Sequence, residues 1–236
     1  MRGPYGFELN ESCRDRRLRA NGFLCQLPTN TLKDLDDLSS FAAYPAGAVL
    51  FLEKQNSRGV YVLCEGQVKL SISSREGKTM ILRIAKAGEV LGLMAVLSGS
   101  LYEVTAETLD PCQVVFIYRD QFLHFLTQHP EANQNMIKQL TAEYQSAYEQ
   151  LRTIGLSASI PGRLAKFLLG WSVGGQQTKS GTKFTIRLTH EEIAECIGVT
   201  RETVSRILGE FKIRHLVTLQ GSTLTIPSRA ALENIY

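Results

Sequence analysis

The segment from Thr200 to Leu208 constrains the fold of this chain more than any other part of the sequence. At the ~100° that a helix turns per residue, its apolar side chains fall on one arc and its polar side chains on the other. The apolar arc holds Val204, Ile207, Leu208 and Phe211, and the polar arc holds Arg201, Glu202, Ser205 and Arg206. We therefore expect one face of this helix to pack and the other to remain exposed.

The residues before this helix have the spacing of a helix-turn-helix. Ala194 is small enough for two helices to approach, and Gly198 can adopt the left-handed backbone that the turn requires. Thr189 and Glu192 form the pattern of a capping box for the first helix, and Thr200 can cap the second. The start of each helix is therefore predicted from its own residues.

Two runs rich in β-forming residues follow, at residues 216–219 and 223–226, with Gly221 between them. This pattern predicts a hairpin, and a further strand is expected at residues 184–188. A helix-turn-helix followed by a hairpin is typical of a winged helix domain that binds double-stranded DNA. Its predicted contacts with DNA phosphates are Thr189, Thr200 and Lys212.

The polar arc carries the side-chain types that read base edges in the major groove. Arg201 and Arg206 can donate to guanine O6 and N7. Glu202 can accept from the amine of cytosine, and Ser205 is short enough to admit a base. Because a carboxylate is unfavourable beside a polyanion, its presence among arginines favours base reading over plain charge attraction. The alternative is an amphipathic helix with an ordinary solvated face.

Composition limits the other classes of protein. The chain has 236 residues, of which 44% are hydrophobic and 21% are charged, enough for two cores and too polar for a membrane protein. No apolar run approaches the ~20 residues of a transmembrane helix, and the first residues lack the apolar segment of a signal peptide. We therefore expect a cytoplasmic protein with no membrane among its partners.

The net charge of +3 is unevenly divided along the chain. Residues 158–236 contain 10 Lys and Arg against 6 Asp and Glu, whereas the preceding residues contain 16 against 17. The positive charge therefore lies with the helix-turn-helix. So small an excess is typical of a site-specific DNA-binding protein rather than a general nucleic-acid coat.

Upstream of residue 118, short β-rich runs are separated by glycines. The runs are residues 48–52, 60–63, 68–72, 80–84 and 113–117. Their spacing predicts an antiparallel β-roll of the jelly-roll type, so that the fold class is α+β. We place this sensor domain at residues 25–128, after an N-terminal segment at residues 1–24.

A long helix is predicted from Pro130 onward. Apolar residues recur along it at steps of three and four: Ile137, Leu140, Tyr144, Ala147, Leu151 and Ile154. This spacing favours the seam of a parallel coiled coil with a second subunit. The alternative is that its first turns pack on the chain's own β-roll. With a hinge at Pro161 and Gly162, the chain divides into a dimerisation helix and hinge at residues 129–158 and a DNA-binding domain at residues 159–236.

This order of elements resembles the Crp/Fnr superfamily of bacterial transcription regulators, from about Leu24 onward. The resemblance implies a β-roll like a cyclic-nucleotide-binding domain, a homodimer that binds a palindromic operator, and RNA polymerase as a partner. Glu202 and Arg206 match the base-reading pair shared by the cyclic-AMP receptor and Fnr branches. Arg201 resembles the first branch and Ser205 resembles the second, so we expect a half-site with a TGA-type core.

The expected effector pocket departs from the family pattern. In the cyclic-AMP receptor branch, a Gly-Glu pair holds the ribose and a later Arg-Ser pair holds the phosphate. Here Gly92 is followed by Leu93, and the later position reads Tyr102-Glu103. Leucine cannot accept from ribose hydroxyls, and a carboxylate repels a phosphate. Cyclic AMP is therefore disfavoured, and the signal at this pocket is left unassigned.

The five cysteines allow a second kind of sensor. In the Fnr branch, cysteines bind an iron-sulfur cluster through four thiolates. Cys13, Cys25 and Cys112 resemble such ligands, but Arg16 stands where a Cys-x-x-Cys pair would place its second thiolate. A carboxylate such as Asp15 could complete the set. An iron-sulfur cluster, thiol-based redox sensing and an ordinary solvated segment around Cys13 are all left open.

The sequence gives little support to an enzyme. Its four histidines lie outside the predicted strands, whereas a cupin-like metalloenzyme needs histidines that face into the roll. Cys64 and Cys196 lie in apolar patterns and are expected to be core residues. We therefore predict a regulator that is not an enzyme. The alternative is a metabolite-binding or enzymatic β-roll protein whose helix-turn-helix only mediates protein contacts.

Overall fold

The computed structural model describes residue 23, residues 27–156, the last four by backbone alone, and residues 159–235. The chain separates into two compact units, Met1–Ser146 and Ala147–Tyr236. Across the described ranges, no helix combines the length and the apolar character needed to cross a membrane. The four-part division made from the sequence stays a prediction.

The first unit contains a roll of two antiparallel sheets. Its elements are α1 (Thr29–Asp37), β1 (Ser40–Tyr44), β2 (Val49–Phe51), β3 (Gly59–Glu65), β4 (Gln67–Ser73), β5 (Thr79–Lys86), β6 (Val90–Leu91), α2 (Leu93–Ser98), β7 (Thr105–Thr108), β8 (Cys112–Tyr118), α3 (Arg119–Gln128) and the first part of α4 (Pro130–Leu156). One sheet has the order β1-β8-β3-β6 and the other has the order β2-β7-β4-β5. Their strand pairs are antiparallel, which confirms the predicted β-roll and the α+β class.

The burial of the strands follows from what covers each face. In β4, Val68 and Leu70 are buried whereas Lys69 between them is only half-buried, as expected where alternate side chains point to opposite faces. β3 is buried along most of its length because α2 and α3 pack on it. One core cluster therefore lies inside the roll and includes Phe51 and Val114. The other joins the helices to β3 and β8.

The first turns of α4 pack on this second cluster. Ala132 and Met136 are buried in it, and Leu140 packs against it. The alternative interpretation of the sequence, in which the first turns of this helix pack on the chain's own β-roll, is therefore correct for this face. Leu140, predicted as part of the dimer seam, is half-buried by the chain's own roll.

The second unit is a winged helix domain. Its elements after α4 are α5 (Ile160–Trp171), β9 (Gln176–Thr178), β10 (Gly181–Thr185), α6 (His190–Ile197), α7 (Arg201–Ile213), β11 (Thr218–Gln220), β12 (Thr223–Ile226) and α8 (Arg229–Glu233). Its sheet has the order β11-β12-β10-β9. β11 and β12 form the predicted hairpin, and Gly221 lies at the turn with a φ of 60°. The helix-turn-helix is α6, the turn at Gly198, and α7.

Two expectations about local structure are wrong. The strand expected at residues 184–188 begins and ends earlier, as β10. Ile186 and Leu188 are buried, so their apolar character reflects packing in the core beyond the end of the strand. Cys64 is buried as expected, whereas Cys196 on α6 is only half-buried.

Candidate nucleic-acid interface and sensor site

The helix-turn-helix has the capping and turn geometry expected from the sequence. Thr189 Oγ1 accepts from the backbone N–H of Glu192 at 3.2 Å, and Glu192 Oε2 accepts from the backbone N–H of Thr189 at 2.9 Å. Gly198 ends α6 with a φ of 69°, in the left-handed region that favours glycine. Arg163 Nη1 donates to the carbonyl of Ile197 at 2.9 Å. Both ends of α6 are therefore held by specific hydrogen bonds.

α7 is fixed by its apolar face and by its cap. The apolar residues predicted to pack, Val204, Ile207, Leu208 and Phe211, are all buried. Thr200 Oγ1 accepts from the backbone N–H of Thr203 at 3.4 Å. The predicted orientation of this helix is therefore confirmed.

The four candidate base-reading side chains lie on the opposite face of α7. They are Arg201, Glu202, Ser205 and Arg206, and all are exposed. A hydrogen bond from its own backbone N–H, one from the Thr200 side chain, and the charge of Arg201 hold the pKa of the Glu202 carboxyl below its usual value. The ionised carboxylate can only accept hydrogen bonds, as the reading of a cytosine amine requires.

Arg206 has an ion-pair partner on its own helix. Its Nη1 lies 2.6 Å from Glu210 Oε1, and the Arg206 side chain is 62% exposed. An exposed pair one turn apart on a helix contributes only ~0.3–0.5 kcal/mol. Arg206 can therefore exchange Glu210 for a base at little cost.

One contact on this surface was not predicted from the sequence. His190 Nδ1 lies 2.8 Å from Ser205 Oγ. His190 is the first residue of α6 and is half-buried. The one signal in the sequence is a histidine directly after the cap residue Thr189. The contact itself could not be predicted, because the distance from His190 to Ser205 depends on how the two helices cross.

The three candidate phosphate-binding residues lie at helix ends. Thr189 and Thr200 are the exposed N-caps of α6 and α7. Lys212 is exposed in the last turn of α7. The N terminus of a helix carries a partial positive charge and free N–H groups, so both caps are suitable places for an anion.

The residues at the predicted effector pocket are mostly enclosed in the roll. Leu93 and Tyr102 are only 2% and 3% exposed, whereas Glu103 is exposed. The ring of Tyr102 stacks on Phe51 with the centroids 4.0 Å apart. Its hydroxyl donates to the carbonyl of Gly59 at 2.6 Å, and burial raises its pKa. Tyr102 is therefore a fully bonded core residue.

Gly92 lies directly against this tyrosine. It precedes α2 with a φ of 76°. A Cβ added to Gly92 would lie 2.6 Å from Tyr102 Cε1. Both the backbone conformation and the close contact therefore require glycine here.

A polar network joins the strand before Gly92 to α4. Gln139 Oε1 accepts from the backbone N–H of Val90 at 3.1 Å, and Gln139 Nε2 donates to the carbonyl of Val90 at 2.8 Å. Gln139 Nε2 also donates to Glu143 Oε1 at 2.8 Å, and Arg83 Nη2 donates to the same oxygen at 2.7 Å. Gln139 is buried, so these bonds directly connect β6 to this part of α4.

Of the three cysteines predicted as cluster ligands, Cys112 is the one that lies within the described residues. Cys13 and Cys25 lie outside the described residues. The Cys112 thiol donates to the carbonyls of Gln67 at 3.3 Å and Asp110 at 3.2 Å. Burial, followed by the charge of Asp110, raises the pKa of Cys112 to about 12. Cys112 is therefore a buried, hydrogen-bonded thiol, and its role as a cluster ligand stays a prediction.

No other group of side chains in the described ranges fits a metal centre. Three or more His, Cys, Asp or Glu residues suitably placed for one ion are not found there.

α4 exposes large apolar side chains along its length. In the first unit, Ile137 and Tyr144 are 58% and 63% exposed; in the second, Tyr148 and Leu151 are 57% and 69% exposed. Ala147 is also exposed, and the side chain of Ile154 lies outside the described residues. Tyr148 was missed from the sequence because it is not on the strict heptad.

Two family models match the chain, one for each kind of domain. The cyclic nucleotide-binding domain matches residues 41–129, and the Crp-like helix-turn-helix domain matches residues 162–235. The chain belongs to the Crp/Fnr superfamily. It is a DNA-binding transcription regulator of that superfamily.

The Crp/Fnr relatives agree with this conclusion. A regulator of Mycobacterium tuberculosis, described as a CRP-like cAMP-activated global transcriptional regulator, is 26% identical over 184 residues, which are 78% of this chain and 82% of that protein. The relatives are transcription regulators rather than enzymes, which supports a role other than catalysis.

Solved structures confirm the Crp/Fnr fold. FixK2 from Bradyrhizobium japonicum matches with a TM-score of 0.74 and 20% identity, over 84% of this chain and 96% of that one. The c-di-GMP responsive global regulator CLP from Xanthomonas campestris matches with a TM-score of 0.76 and 17% identity, over 85% of this chain and 100% of that one.

Proposed function

We propose that this Crp/Fnr regulator binds a palindromic operator as a homodimer and reads a half-site with a TGA-type core. The observation that carries the proposal is the orientation of α7, which buries its apolar arc and exposes its polar one. Base edges would be read by Arg201, Glu202, Ser205 and Arg206, and DNA phosphates would be bound by Thr189, Thr200 and Lys212. Two arginines and an ionised carboxylate on one face supply both donors and acceptors for G·C pairs.

The exposed apolar side chains of α4 support the homodimer. Ile137, Tyr144 and Leu151 are spaced as one position of successive heptads, the pattern that buries such side chains between two parallel helices. Single exposed apolar residues are common on proteins, but a row of them along a helix marks an interaction surface. A symmetric pair of readers about 34 to 36 Å apart would then match an inverted repeat.

The proposed signal is not cyclic AMP. Leu93 supplies no acceptor for ribose hydroxyls, Tyr102 fills the space near Gly92, and Glu103 carries the same charge as a phosphate. Regulators with this fold respond to different molecules, since the relative of M. tuberculosis is described as cAMP-activated and CLP as c-di-GMP responsive. The β-roll fold therefore does not specify the effector. We further propose that the protein acts in the cytoplasm, with RNA polymerase as a partner.

A binding-site selection from random duplex DNA tests the operator. The purified protein should select an inverted repeat with a TGA-type core. Cyclic AMP at about 1 mM, the upper end of the usual range of constants for small molecules, should not change its affinity for the selected sites. Selection of unrelated sequences, or of none, would refute the proposed function.

A substitution on α4 tests the dimer. Tyr144→Glu combined with Leu151→Glu should give a monomer in sedimentation, because buried like charges repel across the seam. Losing the linked second reader should lower operator affinity by about 10²- to 10⁴-fold. Gln145→Glu, at an exposed polar position on the same helix, is the matched control and should leave the dimer intact.

A further inference from the structure

The hydrogen bond between His190 and Ser205 joins the first helix of the motif to the reading face of the second. His190 Nδ1 lies 2.8 Å from Ser205 Oγ, a good distance for such a bond. α6 is capped by Thr189 and Glu192, and α7 is fixed by its buried apolar arc. The two partners are therefore held by rigid elements and not by a loop.

A serine hydroxyl can serve a base as donor or as acceptor, and its neighbours decide which. It has one proton and two lone pairs. If the proton points to His190, only lone pairs are left for the major groove. If the proton points to the groove, Ser205 can instead donate to guanine or to thymine O4. A serine without this neighbour rotates freely and accepts both kinds of base.

We propose that His190 is a specificity-determining residue that makes Ser205 an acceptor. Nδ1 takes the hydroxyl proton, and the base facing Ser205 must then offer an exocyclic amine, N6 of adenine or N4 of cytosine. The inference rests on the proposed DNA-reading function of α7. His190 does not itself need to touch the DNA, so it acts as a positioning residue for Ser205.

The chemistry of the two groups supports this direction of the hydrogen bond. An imidazole nitrogen is a better acceptor than a hydroxyl oxygen, so the hydroxyl donates. A neutral ring has one nitrogen free to accept.

The test measures base preference at a single operator position. Ser205→Ala first identifies that position, as the one where the selected operator loses its preference. At this position the wild-type protein should prefer adenine or cytosine on the contacted strand by about tenfold, the usual size for one mismatched pair. His190→Phe, which keeps the ring but removes both nitrogens, should reduce this ratio to about one.

Three companion measurements separate positioning from general damage. His190→Asn places a polar atom near the position of Nδ1 and should restore most of the preference. His190→Phe in the Ser205→Ala background should have no further effect on preference, as expected for two residues that act through one contact. Preference at the position read by Arg206 should stay unchanged in every variant, whereas a purely structural role of His190 would weaken binding to all sequences alike.

The outcomes distinguish this inference from the function on which it rests. If the wild-type protein selects no inverted repeat, the proposed function fails. If it selects one and His190→Phe keeps the full preference at the Ser205 position, only the role of His190 is refuted. A wild-type preference for guanine or thymine at that position would overturn the direction of the hydrogen bond.

Discussion

The reading helix and the sensor roll use their polar groups in opposite ways. On α7, Glu202 and Arg206 are exposed, and the partner of Arg206 is another exposed side chain, Glu210. In the roll, Tyr102 is buried and its hydroxyl is bonded to Gly59. A ligand can therefore meet the reading face without rearrangement, whereas a ligand at the roll must first displace internal contacts. Substitutions should accordingly change binding in the reader and stability in the roll.

Removal of the Tyr102 ring should have the largest effect. Tyr102→Ala leaves a cavity beside Phe51 and should lower the free energy of unfolding by about 3 to 5 kcal/mol, measured by urea denaturation. Tyr102→Phe keeps the ring and loses only the bond to Gly59, so it should cost about 1 kcal/mol. If the Tyr102→Ala protein were as stable as the wild type, the Tyr102 ring would not be part of a packed core. The contrast between the reading helix and the roll would then be wrong.

Gln139→Leu should have the next largest effect. It leaves the buried N–H and C=O of Val90 without their side-chain partner. The loss of both hydrogen bonds should lower the free energy of unfolding by about 2 to 3 kcal/mol. The measurement is again urea denaturation. Gln134→Leu, at an exposed position on the same helix, is the control and should change stability by no more than about 0.5 kcal/mol. Equal losses in both variants would remove Gln139 as the specific link between β6 and α4.

Arg206→Ala should weaken binding while leaving the fold intact. We expect a loss of about 1 to 3 kcal/mol at the half-site, with specificity relaxed at the base pair that Arg206 reads. Lys212→Ala should instead weaken binding about equally for all sequences and reduce the salt slope by about one. Titration of duplexes with single base changes, at several salt concentrations, distinguishes the two. A uniform loss for Arg206→Ala would contradict its role in base reading.

The smallest effect is expected at the buried thiols. Burial raises the pKa of Cys64 and of Cys112 from 9.0 to about 12. Neither should therefore react with iodoacetamide in the folded protein between pH 7 and 9, since the thiolate is the reactive form. Rapid native-state labelling of Cys112, read by mass spectrometry, would restore a sensing role for this residue.

The same raised pKa values make the stability of the folded state depend on pH. Each thiol is protonated in both states below 9.0, its ordinary pKa, so its contribution to stability is complete there. As pH rises from 9.0 toward about 12, the unfolded chain loses its protons first, and the folded state loses stability.

Features that arise from neighbouring residues in the sequence were predictable. The capping box of Thr189 and Glu192, the left-handed Gly198 and the buried arc of α7 depend on spacings within one or two turns. The long apolar runs likewise predicted five strands of the roll. The strands that were not predicted are β1, β6 and β7 of the roll and β9 of the winged helix domain. Of these, β6 has only two residues and β9 consists of exposed Gln-Gln-Thr.

Features that depend on how elements meet could not be predicted. The His190–Ser205 bond requires the crossing of α6 and α7, and the Gln139–Val90 bonds join residues far apart in the chain. Leu140 shows the same limit. Its heptad position predicts a dimer contact, but the roll already half-buries it.

The close contact between Gly92 and Tyr102 also sets an order for evolutionary change. A descendant that gains a side chain at Gly92 before it shortens Tyr102 must accept both a left-handed backbone and an atom 2.6 Å from the ring. Loss of the tyrosine has to come first, at a cost to the stability of the roll, and the left-handed backbone at position 92 still strains the new side chain. New ligand specificities at this site should therefore arise only in lineages whose β-roll is stable enough to tolerate these losses.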